Sequence, residues 1–155
     1  MHSDQHALWI NPNDGDHLLI GSDGGLYVSW DRTRSWHHHN HMDLGQFYHV
    51  AVGPRRDYWV YGGLQDNGSW GAPRRGVRGS TVNEDWIRVG SGDGFLIAVD
   101  AEDPNQIYYE SQNGGMGRTH LLTMEGGRIR PAREEGVSVR FNWRTPFALS
   151  HFNSK

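Results

Sequence analysis

The stretch GSDGGLYVSWDRTRSW, residues 21–36, determines how the whole chain is interpreted. Its Ser-Asp-Gly-Gly segment, residues 22–25, is a tight-turn signal because glycine adopts backbone conformations that other residues avoid. Apolar and polar side chains then alternate over residues 26–30, as in a β-strand with two different faces. The stretch therefore predicts part of a β-hairpin, and its recurrence along the chain decides whether that hairpin is a repeated unit.

The same kind of turn occurs twice more at a nearly constant spacing. QDNG at residues 65–68 follows the first turn by 43 residues, and QNGG at residues 112–115 follows the second by 47. Before each turn lie two short apolar segments joined by residues of Pro, Asp or Asn type. Four short antiparallel strands at this period are typical of a β-propeller blade. A generic β-sandwich also has regularly spaced short strands, but it does not require the same turn chemistry three times.

The sequence therefore predicts an all-β fold, namely a β-propeller fragment. We expect about three four-stranded antiparallel blades, at approximately residues 3–42, 45–91 and 92–141, and the first strand of a fourth in residues 142–155. Closed propellers have about four to eight blades, so the remaining blades of a longer protein are expected partners. The total number of blades stays open.

The composition suits many short strands and argues against several classes of protein. The chain has 21 glycines, seven Trp, six Tyr and five Phe, with 35% hydrophobic residues. A net charge of −3 provides no general field for nucleic acid. No apolar run approaches the length of about 20 residues that spans a bilayer. We expect no nucleic-acid partner, no membrane-spanning segment and no cofactor, and the absence of cysteine excludes disulfides.

The segment SWDRTRSW, which starts at Ser29, resembles the Asp-box of BNR-repeat propellers, S-x-D-x-G-x-T-W. Ser29, Asp31 and Trp36 match, Ser35 replaces Thr conservatively, and Thr33 stands where Gly is usual. With the blade repeat, the chain resembles part of a sialidase-superfamily propeller, most closely sortilin/VPS10-like and xyloglucanase-like proteins often labelled glycosyl hydrolases. The resemblance implies a structural role for Ser29, Asp31, Ser35 and Trp36, and a secreted or periplasmic location. The residues alone do not determine the compartment.

Propeller geometry brings the beginnings of the first strands close to the glycine turns of the same face. Alignment of the repeats places four residues at one level of the channel mouth: Asp4, Gln46, Asp93 and Trp143. Carboxylates and amides beside aromatic rings suit sugar hydroxyls, which need both hydrogen-bond partners and flat faces. The predicted ligand-binding residues are His6, Gln46, Tyr48, Asp66, Asn67, Gln112 and Asn113.

Two aspartates are the best candidates for catalysis. Asp93 and Asp4 both lie at the beginning of a first strand, and a glycosidase needs two carboxyls about 5–5.5 Å or 6.5–9.5 Å apart. Because Asp and Gly are also the normal residues of tight turns, Gly-Asp-Gly at residues 92–94 is better explained as a turn than as a catalytic segment. Enzymatic activity stays open, and if the protein is an enzyme we expect a glycoside hydrolase.

Two further segments are conspicuous. HHHNH at residues 37–41 would place alternate histidines on one face of a strand, but that strand is the outermost of its blade, and we expect no metal site. The segment 72–85 interrupts the second blade with three arginines and is too long for a tight turn.

Three functions fit these observations. The first hypothesis is a binding propeller of sortilin-like type that recognises a glycan or peptide at the channel mouth. The second is part of a xyloglucanase-like glycoside hydrolase that uses channel-mouth carboxylates. The third is an assembly factor with the same fold and no small-molecule site. Fold alone does not separate them, because function depends on the site.

Overall fold

The computed structural model describes residues 1–42, 44–132 and 136–152. Within these residues the fold is all-β: twelve strands form three four-stranded antiparallel sheets, with two short 3-10 helices as the only helical structure. This confirms the predicted fold class. The chain divides into two compact units, Met1–Leu44 and Gly45–Lys155. In the described ranges no helix has the length and apolar character needed to cross a membrane.

Each sheet is a meander in which strands adjacent in sequence are adjacent in space, as in a propeller blade. The first unit contains β1 (Gln5–Ile10), β2 (Leu18–Ser22), β3 (Gly25–Ser29) and β4 (His37–His39). The second unit contains two sheets. One consists of β5 (Phe47–Val52), β6 (Trp59–Leu64), β7 (Gly68–Pro73) and β8 (Ile87–Gly90). The other consists of β9 (Gly94–Val99), β10 (Gln106–Ser111), β11 (Gly115–His120) and β12 (Gly126–Arg128). The 3-10 helices are Asn83–Asp85 and Gln112–Gly114.

The first strand of each sheet contains a β-bulge near its beginning. The pairing register places the extra residue at His6 in β1, at Tyr48 in β5 and within residues 95–96 in β9. A bulge turns a side chain out of the regular alternation of its strand and is common beside functional sites. The alternation of residue types does not indicate these bulges, although the repeat alignment puts them at equivalent positions.

In the first unit, burial is concentrated on β3 and the start of β2. Leu18, Tyr27 and Val28 are buried, and the Tyr27 ring stacks on His38 with the ring centroids 4.4 Å apart. Strand β1 is exposed along its whole length, including Leu8 and Trp9. The interior of this unit is therefore small and lies on its middle strands.

In the second unit, a hydrophobic core forms around Tyr61, Val89, Ile97 and Ile107, which come from both of its sheets. The two sheets also meet backbone to backbone. A Cβ atom added at Gly63 would lie 2.3 Å from the carbonyl of Gly94, far inside van der Waals contact. Glycine is needed at residue 63 because only hydrogen fits there.

In the described part of residues 142–155, the structure has no strand where the first strand of a fourth blade was expected. Residues 145–150 carry no strand in the structure, and none of the described strands pairs with them. A strand is stabilised by its ladder of hydrogen bonds to a neighbour, so without a partner this segment remains irregular.

Candidate functional site on the turn face of the second unit

Three turns of the second unit are joined by hydrogen bonds, and we call the surface that they form the turn face: residues 65–67, 91–93 and 112–114. The backbone N–H of Asp66 donates to Oδ1 of Asp93 over 2.9 Å. The backbone N–H of Asp93 donates in turn to Oε1 of Gln112 over 2.8 Å. The side chain of Asp93, just before β9, and that of Gln112, just after β10, therefore fix the backbone of two turns. The polar groups of this face are thus held in place before any ligand arrives.

Tyr48 lies beside this hydrogen-bonded chain. It is the bulged residue of β5, and its ring stacks on that of Phe95 with the centroids 4.7 Å apart. Burial raises the pKa of Tyr48 above its usual value, and the negative charges of Asp93 and Asp66 raise it further. The structure thus brings together Tyr48, Asp66 and Asp93, three of the residues predicted for the site.

The backbone of the turns is unusual at two equivalent positions. Asp66 and Asn113 have φ angles of 60° and 59°, in the left-handed region that Asp and Asn tolerate better than most residues. The carbonyl oxygen of Asn67 accepts a 2.6 Å hydrogen bond from the indole N–H of Trp70. The carbonyl oxygen of Gln46 accepts one from the N–H of Gln65 over 3.1 Å. These contacts hold the backbone of Asn67 and Gln46 beside the turn at residues 65–67, and the Asn67 side chain donates to the carbonyl oxygen of Gln65 over 3.0 Å.

Asp93 is almost fully buried, with 5% of its surface exposed, and one carboxylate oxygen accepts the N–H of Asp66. A buried backbone N–H needs an acceptor, and a carboxylate is a strong one. The contacts of Asp93 therefore explain its presence without any chemistry, and its predicted catalytic role remains a prediction.

Glu110 in β10 was not predicted, although it is the most deeply buried carboxyl among the described residues, with 0% exposure. Its oxygens accept the N–H groups of Thr145 and, over 3.5 Å, of Leu96. Burial raises the pKa of Glu110, while the two N–H groups and the charge of Arg144 oppose that rise. A single charged residue within the strand sequence QIYYES was the signal that could have revealed it.

Residues 141–145 complete the turn face. The carbonyl oxygen of Trp143 accepts the N–H of Asn113 over 3.0 Å, and the Trp143 side chain is 54% exposed. Gly114 lies against the ring of Phe141, since an added Cβ would be 2.4 Å from it. Together with the Thr145–Glu110 bond, these contacts attach an irregular segment to the edge of the site and add an exposed indole.

The predicted site residues of the first unit contact one another. The N–H of Asp23 donates to the carbonyl oxygen of Asp4 over 3.2 Å, and His6 Nε2 lies 2.8 Å from Asp23 Oδ1. Possible metal-ligand atoms of His2, Asp4 and Asp23 lie within 4.8 Å of one another, although the N–H of Asp4 already donates to His2 Nδ1. Asp4 belongs to the first unit and Asp93 to the second, and their joint catalytic role remains a prediction.

The residues that resemble an Asp-box make local hydrogen bonds. Ser29 is fully buried, and its Oγ accepts the N–H of Thr33 over 2.8 Å while donating to Asp31 Oδ1 over 3.0 Å. Asp31 accepts both the N–H and the hydroxyl of Ser35, at 2.9 and 2.7 Å. The hydroxyl bond from Ser35 is the main reason that the pKa of Asp31 is lowered. These polar groups, which precede the half-buried Trp36, hold the turn between β3 and β4.

Comparisons with known proteins show no family for this chain. No protein-family model matches the chain. No curated protein matches it in sequence. A crystal structure of an ancestral GH74 enzyme is similar with a TM-score of 0.39 and 14% identity, over 81% of this chain and 18% of that one. The chain thus corresponds to less than a fifth of that protein's length, and a similarity this low transfers no function.

Proposed function

We propose that this chain is part of a propeller-type module that binds carbohydrate on the turn face of the second unit. The observation that carries the proposal is the hydrogen-bonded chain from Asp66 through Asp93 to Gln112, with the Tyr48–Phe95 stack beside it. A sugar ring presents hydroxyls at its edge and C–H groups on its faces. Fixed polar groups next to an aromatic ring match both kinds of surface.

Preorganisation supports binding. Ordering a flexible side chain at an interface costs about 0.5–1.5 kcal/mol, so a site whose turns are already fixed loses less on association. Tyr48 keeps 37% of its surface exposed although its ring is stacked on Phe95. The exposed indole of Trp143 provides a second flat surface at the edge of the same face.

The contacts of Asp93 favour binding over hydrolysis. A glycosidase would need this carboxyl to donate a proton or attack the sugar. In this chain Asp93 Oδ1 accepts the N–H of Asp66, and its own N–H is held by Gln112. A group committed to holding two turns together is poorly placed to change its bonding during a reaction.

The test is a screen of the chain on an array of neutral glycans and on extended peptides, followed by calorimetric titration of the best ligand. We expect a glycan to bind, and we expect Tyr48→Ala to weaken its affinity at least tenfold. Trp30→Ala is the control, because Trp30 is another exposed aromatic residue but stacks on His17 in the first unit.

Aryl-glycoside hydrolysis is measured in parallel with the wild type and Asp93→Asn. Turnover that disappears in Asp93→Asn would replace the binding function by the hydrolase alternative. Binding of peptides alone, or glycan binding that Tyr48→Ala leaves unchanged, would also overturn the proposal.

A further inference from the structure

A cleft of about 450 Å³ lies at the end of the β5–β8 sheet that is away from the turn face. We call it the arginine cleft. It is formed by the turn between β5 and β6 and by the chain that leaves β7. Its lining residues are Arg56, Asp57, Trp59, Pro73, Arg74 and Arg75. Arg56 and the pair Arg74 and Arg75, which are at least 18 positions apart in the sequence, therefore line the same cleft as Trp59.

The charge of this cleft is opposite to that of the chain. Three arginines and one aspartate line it, whereas the whole chain carries a net charge of −3. The three ion pairs among the described residues are His6–Asp23, Arg32–Asp16 and His120–Asp103, so no described carboxylate pairs with an arginine of the cleft. Guanidinium groups recognise carboxylates through paired N–H donors, which makes the cleft a site for an anion.

The segment that carries Arg74 and Arg75 has a defined fold. The N–H of Arg74 donates to the carbonyl oxygen of Tyr58 over 3.0 Å, and the Arg74 guanidinium lies 5.5 Å from the Tyr58 ring centroid. The Thr81 hydroxyl lies 2.8 Å from the carbonyl oxygen of Pro73 and 3.2 Å from that of Arg74. The loop is thus tied to the end of β7, and the arginines are presented from a fixed backbone.

We propose that the arginine cleft binds an acidic carbohydrate, with a uronate carboxylate held by the arginines and the sugar ring lying on Trp59. This site is additional to the turn face and does not depend on the function proposed there. Binding pockets for small ligands begin at about 300 Å³, so the cleft is large enough for one or two sugar rings.

An acidic peptide is the main competing ligand, and the sheet disfavours it. Extended peptides are commonly recognised by adding a strand to a free sheet edge. Trp59 in β6 is bonded on both sides, to Pro73 of β7 and to Gly53 after β5. The sheet at Trp59 therefore lacks the edge that would hold a peptide backbone, whereas a ring on Trp59 needs none.

The experiment is calorimetric titration of the chain with a trigalacturonate and with its fully methyl-esterified form, which has the same rings without the charges. We expect the acid to bind and the ester to bind at least tenfold more weakly. Arg74→Gln and Arg56→Gln should each weaken binding of the acid at least fivefold and reduce the dependence of that binding on salt concentration. Arg128→Gln is the control, because Arg128 is exposed on β12 and does not line the cleft.

Thr81 provides a separate test of a positioning role. Thr81→Val keeps the shape and removes the hydroxyl, so it should weaken binding, and Thr81→Ser should restore it. A circular dichroism spectrum of each variant reports whether the sheets are intact.

Several results would overturn the proposal. The first is equal affinity for the acid and the ester. The second is a loss of affinity for the acid in Arg128→Gln as large as that in Arg74→Gln. The third is a glutamate-rich peptide that binds as tightly as the trisaccharide. Tyr48→Ala should leave trigalacturonate binding unchanged, which separates this site from the turn face. Loss in that variant would assign the acidic sugar to the turn face instead.

Discussion

The backbone N–H of Asp66 donates to Oδ1 of Asp93 over 2.9 Å, so a turn of one sheet is held by a side chain at the beginning of the next. The residues are 27 positions apart and belong to successive repeats. An aspartate that the sequence offers as a catalytic candidate is, in the structure, an acceptor between two sheets.

Asp93→Ala is therefore expected to destabilise the second unit. It leaves the partly buried N–H of Asp66 without its acceptor, and a hydrogen bond to a charged group contributes about 1.5–3 kcal/mol. Asp93→Asn keeps an oxygen at the same place and should cost less than half as much. Urea denaturation at neutral pH measures the free energy of unfolding of both variants. Equal losses in the two would show that the hydrogen bond to Asp66 does not account for the stability that Asp93 provides.

Gly63→Ala should disturb the contact between the two sheets of the second unit. The new methyl group would lie 2.3 Å from the backbone carbonyl of Gly94, which cannot move aside as a flexible side chain can. We expect a loss of about 1–3 kcal/mol in the free energy of unfolding, as for other overpacked interiors. The control is Gly127→Ala, where an added Cβ has no neighbour within 4 Å, and its effect should stay within about 0.5 kcal/mol.

Glu110 should make stability depend on pH in a particular direction. Burial raises its pKa, so between the ordinary carboxyl pKa and the raised one the folded protein holds more protons than the unfolded chain. The free energy of unfolding should then fall as the pH rises through that window.

Glu110→Gln tests this dependence. The neutral amide still offers an oxygen to the N–H of Thr145, but it does not titrate. Urea denaturation from pH 4 to 8 measures the free energy of unfolding. In the variant this free energy should lack the part of the wild-type decline with rising pH that is due to Glu110. A variant with an unchanged pH profile would mean that Glu110 does not titrate in this range.

Thr33→Gly should stabilise the turn between β3 and β4. Thr33 has a φ of 71°, and the left-handed conformation costs an ordinary residue about 1–2 kcal/mol. Glycine removes that strain and loses about 0.5–1 kcal/mol of chain entropy, which leaves a gain of about 0.5 kcal/mol. Native-state hydrogen exchange of the β3 amides measures the gain. Thr33→Ala keeps the strain, so a glycine variant less stable than the alanine variant would contradict the prediction.

The periodicity of turns predicted the fold class because it depends on local chemistry. Glycine, Asp and Asn at a constant position of each repeat fix where the strands reverse, and alternation fixes their faces. The same reasoning failed for residues 145–150, because a strand needs a neighbour that the residue pattern of one segment does not reveal.

The site was predictable only in part. Repeat alignment indicated Tyr48, Asp66, Asp93 and Gln112, since equivalent positions share a face. It did not reveal which groups hydrogen-bond to each other, so the acceptor role of Asp93 was indistinguishable from a catalytic one. Glu110 was missed because its burial depends on contacts with residues 96 and 145, which are distant in the sequence.

The extra residue at the start of each first strand has an evolutionary consequence. His6 and Tyr48 occupy this position in two of the sheets. In both strands the residue pairs before and after the bulge are formed, although the bulged side chains differ. A substitution at this position changes what a repeat offers to solvent without shifting how its strands align. Duplicated copies of one sheet could thus diverge in specificity while inheriting the same architecture.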